Sequence, residues 1–106
     1  MKKQKLVFKN SIGQKLVGVL YKPNNKSFPI AIFCHGYKSS KDSKKAIALS
    51  KKLTKKGIGL FAFDFSGNGE SKGKFEKTTV TQYIDDLKCA VDLISKKTKN
   101  IAVIGS

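Results

Sequence analysis

Arginine and tryptophan are absent from this 106-residue chain, and all 22 of its basic residues are lysine. Histidine and methionine occur once each, cysteine and proline twice each, and only seven residues are acidic. Each shortage removes a class of function. Paired recognition of phosphates and base edges relies on the planar fork of arginine. The formal net charge of +15 therefore does not read as a nucleic-acid interface, and no stretch interleaves lysine with exposed aromatics. Lysine is expected on solvated faces. Cys34 and Cys89 have neither metal-ligand spacing nor a C-x-x-C pairing, which points to free buried thiols in a reducing compartment. No metal and no cofactor is expected. No apolar run approaches the roughly 18 residues of a membrane-spanning helix. Lys9 interrupts the basic, apolar start too early for a signal peptide, so the expected setting is the cytoplasm.

What is present alternates between apolar runs and helical patterns, the signature of an α/β fold. Leu6-Val7-Phe8 and Leu16–Tyr21 flank Asn10-Ser11-Ile12-Gly13 and predict an opening β-hairpin. Pro29–Cys34 and Ile58–Phe63 are continuous apolar runs of strand length, as in parallel strands covered on both faces. Between them, Ala46, Leu49 and Leu53 recur at helical spacing over 42–56, with Asp42 or Ser43 as cap and Gly57 as the left-handed stop. Residues 64–77 read as a long glycine-containing loop. Thr79 with Gln82 resembles a capping box, and Tyr83, Ile84, Leu87, Val91 and Ile94 mark one face of the helix that follows. Asp85, Asp86 and Asp92 on that helix read as solvated or dipole-compensating acids. Ile101 opens a last strand, and there are no repeats and no interdomain linker.

Three segments carry chemistry, each directly after a predicted strand. They are His35-Gly36-Tyr37, the run Asp64-Phe65-Ser66-Gly67-Asn68-Gly69-Glu70-Ser71, and Gly105-Ser106. Phosphate-loop alternatives fail on register. After Gly67-Asn68-Gly69 the next glycine, Gly73, comes one position late for a dinucleotide fingerprint. Phe75 stands where a Walker loop following Gly73-Lys74 needs Ser or Thr.

In order and spacing these segments resemble the N-terminal half of an α/β-hydrolase, closest to the serine-aminopeptidase and feruloyl-esterase-like branch, and the resemblance covers essentially the whole chain. It implies a partial hydrolase domain over residues 1–106: a hairpin, then a mostly parallel sheet with flanking helices. It implies that the backbone N–H of Tyr37 is one of two donors of an oxyanion hole, with His35 and Gly36 shaping that loop. Gly36 is expected to take unusual dihedrals there. His35 is read as structural, because the family's catalytic histidine lies far downstream. Asp64, Gly67, Gly69 and Ser71 form a structural turn in which Ser66 replaces a frequent arginine. Gly105 and Ser106 begin the G-x-S-x-G elbow. Ser106 is then the variable residue, since Ile104 cannot serve as the elbow's first glycine. Cys34 is expected to point into the core.

The nucleophile, the acid and the catalytic histidine are thus expected outside these 106 residues, and the chain alone is expected to be inactive. The implied substrate is a small-molecule ester or amide, cleaved through an acyl-enzyme. The alternative is a non-enzymatic remnant or split-gene product that pairs with a separate C-terminal half. An exposed apolar edge on the last strand would favour such association.

Overall fold

The computed structural model describes residues 1–105. Its elements run β1 (Lys2–Lys9), β2 (Lys15–Lys22), β3 (Ile30–Cys34), α1 (Lys44–Lys55), β4 (Gly59–Phe63), a short 3-10 turn (Phe75–Lys77), α2 (Val80–Ser95) and β5 (Ile101–Gly105). The opening hairpin is longer than its apolar residues predict. Lys2 pairs with Lys22 and Lys9 with Lys15, because backbone pairing continues where the side chains are solvated. Gly13, at φ 81, closes the turn, where its N–H donates to the Asn10 carbonyl at 3.0 Å.

The five strands form one sheet in the order β1-β2-β4-β3-β5. β1 and β2 run antiparallel to their neighbours, whereas β3 pairs in parallel with both β4 and β5. Successive strand residues face opposite sides, so each side carries its own core. On one, Leu20, Ile32, Phe61 and Phe63 pack with Ala90 and Ile94 of α2. On the other, Tyr21, Phe33, Leu60 and Ala62 pack with Ala46, Leu49 and Leu53 of α1. This is the N-terminal part of an α/β-hydrolase fold, with one helix on each face.

Local chemistry explains the helix ends. Ser43 caps α1 by accepting the Ala46 N–H at 3.2 Å, and Gly57 follows its end at φ 79. Thr79 caps α2 through the Gln82 N–H at 3.1 Å. The reciprocal half of the expected capping box does not form. The Gln82 amide turns inward and donates to Asp86 at 3.0 Å. The buried face of α2 also differs from its hydrophobic reading. Ile84 is half exposed, and Ala90, small enough to approach the sheet, takes the interior position.

Candidate active site

The parallel register brings the three sequence landmarks to one edge. Cys34 is level with Phe63 across β3–β4 and with Gly105 across β3–β5. His35 and Asp64 are therefore each the first residue beyond a level row of strand ends, where α/β sheets hold their ligands. Gly105 closes that row. Ser106, the second elbow residue expected from the sequence, lies outside the described residues.

His35 is buried, and both of its ring nitrogens are engaged. Nε2 accepts the Phe65 N–H at 3.1 Å, and Nδ1 lies 2.8 Å from the Gly36 carbonyl. An acceptor at Nε2 places the proton on Nδ1, which donates to Gly36. The imidazole also stands edge-on to the Phe65 ring, with centroids 5.2 Å apart. With Nε2 occupied, the ring ties the loop after β3 to the turn after β4 and has no free lone pair for taking a substrate proton.

The Gly36 carbonyl also accepts the Ser39 N–H at 3.0 Å, closing a tight turn over 36–39. The left-handed residue of this turn is Lys38, at φ 54, in place of the unusual dihedral expected at Gly36. Tyr37 is 80% exposed, and its ring meets Phe75 at 5.3 Å between centroids. The Lys38 ammonium lies 5.7 Å from each of these rings. Among the described residues the Tyr37 N–H has no hydrogen-bond acceptor. This backbone donor sits in the loop that follows β3.

The platform for this loop is the turn after β4. Asp64 is fully buried. Its Oδ1 accepts the Lys41 N–H at 2.8 Å, and Oδ2 accepts the Glu70 N–H at 3.0 Å. Gly69, at φ 51, has to be glycine, because a Cβ there would collide with the Asp64 carboxylate. At Gly67, φ 80, a Cβ would stand 2.7 Å from the Phe75 nitrogen. The Ser71 hydroxyl donates to the Asp64 carbonyl at 2.6 Å and accepts the Val17 N–H at 2.9 Å, which fastens the turn to β2.

Three polar residues at this edge were not legible as partners. Lys41 is 2% exposed, against the expectation that lysines lie on solvated faces. Its ammonium reaches Glu70 at 2.8 Å, Asp64 at 2.9 Å and Asp42 at 3.1 Å. Burial opposes the ammonium charge, but hydrogen bonds to Glu70, Asp64 and Asp42 outweigh it and push the pKa up. Glu70 answers in the other direction. Its hydrogen bonds from Lys41 and then Lys5 lower it to about 2. A buried carboxylate demands a compensating donor, so Asp64 signals that such a residue exists. Sequence alone does not say which of 22 lysines it is.

Asp86 is the third. It is fully buried rather than solvated. It accepts the Ser66 N–H at 2.8 Å and the side-chain amides of Asn10 and Gln82 at 3.0 Å each. It thereby joins the hairpin turn, the β4 turn and α2. Asp85 lies nearer solvent and accepts the Ser11 N–H at 3.0 Å. Cys34 packs partly against the core on the α2 side, and burial pushes its thiol up to about 11. Such a thiol stays protonated and unreactive at neutral pH. Among the described residues no group of three or more His, Cys, Asp or Glu side chains could hold a metal ion, and no helix is long and apolar enough to cross a membrane.

Comparison with known proteins shows the family. The family model described as serine aminopeptidase, S33, matches residues 26–106. A palmitoyl-protein thioesterase from Bos taurus, the mitochondrial ABHD10, is 32% identical over 77 residues, which is 73% of this chain and 25% of that protein. The Pyrococcus furiosus esterase Pf2001 superposes with a TM-score of 0.83 at 31% identity, covering 98% of this chain and 42% of the esterase. Est1E from Butyrivibrio proteoclasticus, solved with ferulic acid bound, gives 0.86 at 27% identity, covering 94% of this chain and 41% of that enzyme. The chain thus spans about a quarter of the curated relative and about two fifths of the solved enzymes. It belongs to the serine aminopeptidase S33 family of α/β-hydrolases.

Proposed function

We propose that this chain forms the oxyanion-binding part of a serine hydrolase that cleaves small-molecule carboxylic esters, thioesters or amides. The carrying observation is the Tyr37 N–H, without an acceptor among the described residues and carried on the loop that leaves β3 at Cys34, the strand end level with Phe63 and Gly105. Acyl transfer develops negative charge on the carbonyl oxygen, and a preset N–H at that point stabilises the charge more than it stabilises the ground state. In this reading His35 and Gly36 shape the donor loop, and Asp64, Gly67, Gly69 and Ser71 support it. Gly105 and Ser106 lead into the elbow, and the serine that attacks is the residue following Ser106 in G-x-S-x-G. The esterase and thioesterase names of the relatives support the substrate class. The reaction uses no cofactor. A cytoplasmic setting belongs to the same reading, supported by the free thiols Cys34 and Cys89.

The test is a chimera in which residues 1–106 replace the matching part of the Pyrococcus furiosus esterase, assayed on a p-nitrophenyl ester. The chimera is expected to turn over and the 106-residue chain alone is not. Tyr37→Pro removes the N–H and is expected to lower kcat by about 100-fold or more, whereas Tyr37→Ala keeps the N–H and most of the rate. Equal losses in the two variants overturn the donor role of Tyr37, and turnover by the 106-residue chain alone overturns the placement of the attacking serine after Ser106. Among the described strands β5 pairs only with β3, which supports a second reading, in which a separate C-terminal half completes the sheet. Mixing the chain with such a half and recovering turnover tests it.

A further inference from the structure

Resting on the oxyanion reading of Tyr37, we propose that Lys41 is a positioning residue that sets where the Tyr37 N–H points. The loop from His35 to Lys41 touches the turn after β4 at three places. His35 Nε2 holds the Phe65 N–H at one end, and the Tyr37 and Lys38 side chains rest on Phe75 in the middle. At the far end Lys41 closes the span twice. Its own N–H donates to Asp64 Oδ1, while its ammonium bonds Asp64, Glu70 and Asp42.

The middle contact is weak and exposed, with Tyr37 80% open to solvent and Lys38 in a left-handed conformation that costs a non-glycine residue free energy. Such a turn keeps one shape only if both ends are fixed. His35 fixes the first end through a single neutral hydrogen bond to the platform. Lys41 fixes the second through charge-assisted bonds, the stronger kind.

Taking an ammonium out of water is expensive, and replacing a buried ion pair by an apolar group of similar size is often close to neutral in stability. Contribution to stability alone is therefore a poor reason to bury a lysine here. Geometry is a better one. Two of the three carboxylates, Asp42 and Glu70, are more than half exposed and can rehydrate if the ammonium is removed. Asp64 would keep the N–H bonds from Lys41 and Glu70. Lys41→Met removes the ammonium bonds and leaves the far end of the loop a single backbone tie to Asp64. The buried Asp64 carboxylate loses its cation, which costs stability, so the core amides are read alongside Tyr37.

The experiment is 15N relaxation on the 106-residue chain, which reads the Tyr37 amide directly and does not depend on turnover. In the wild type the Tyr37 order parameter is expected to be near the rigid-backbone value of about 0.85. In Lys41→Met it is expected to fall below about 0.6, with the amides of Ile32 and Phe61 unchanged. An unchanged Tyr37 value, or a loss spread evenly over the core strands, overturns the proposal. If Lys41→Met does not fold, Glu70→Gln decides. It removes one charged partner at the rim, and a lowered Tyr37 value supports the positioning role, whereas an unaltered one overturns it. An inactive esterase chimera would leave this result standing, so the two proposals fail separately.

Discussion

Two side chains sealed beside the same turn, Ser66 and Asp86, affect stability in opposite ways. The Ser66 hydroxyl is buried with no hydrogen-bond partner among the described residues. A buried donor left unpaired costs about 1–3 kcal/mol, so Ser66→Ala is expected to leave stability unchanged or raise it by up to about 1 kcal/mol. Asp86 accepts three N–H groups, and Asp86→Ala leaves those donors without their acceptor, at a cost of about 3 kcal/mol. Urea unfolding of both variants checks the pair, and a Ser66→Ala chain that is clearly less stable contradicts the buried, unpaired hydroxyl. At this scale the sequence was readable where a residue's type limits its backbone, as at Gly67 and Gly69. It was opaque where a long-range partner decides. Asp86 lies 76 positions from Asn10, and nothing local separates it from its more exposed neighbour Asp85.

Among the elements, strand and helix types followed from apolar period alone, while their limits and facings followed from partners. β1 reaches back through Lys2, Lys3 and Lys5 because β2 offers it backbone groups, an influence absent from any hydrophobic pattern. On α2, Ile84 and Ala90 lie about 120° apart around the helix, and the side turned to the sheet runs through Asp86, Ala90 and Ile94, which leaves Ile84 at the rim. β5 carries the clearest consequence. It pairs only with β3 among the described strands, Ile101 and Ile104 pack against the two cores, and Val103 is 50% exposed. An open, apolar edge strand recruits other chains. Val103→Lys is therefore expected to reduce concentration-dependent association in size-exclusion chromatography with light scattering, with an unaltered circular dichroism spectrum. Equal association in the variant would remove this edge as the route.

For the molecule as a whole, the ion cluster joins β1, the loop after β3 and the turn after β4 through Lys5, Lys41, Asp64 and Glu70. Glu70 has its carboxyl lowered from 4.5 to about 2, first by the Lys41 hydrogen bond and then by that of Lys5. A depressed carboxyl stabilises the fold above its unfolded value, and that contribution is lost as pH falls through the folded one. Stability should therefore decline between about 4.5 and about 2. Glu70→Gln should flatten that part of the curve, as read by thermal unfolding across pH, and a variant with the same acid slope would exclude Glu70 as its source. Lys41 works at the opposite end. Its raised pKa gives stability that is complete below the ordinary lysine value and is lost only at more alkaline pH. The level row formed by Cys34, Phe63 and Gly105 also acts as a ruler. One residue inserted inside β3, β4 or β5 would push a landmark about 3.3 Å along its strand and turn its side chains to the other face. The segments that follow α1 and α2 do not set that row, although Lys56, Gly57 and Ile58 bond back to the end of α1. The row's position is therefore held within the strands.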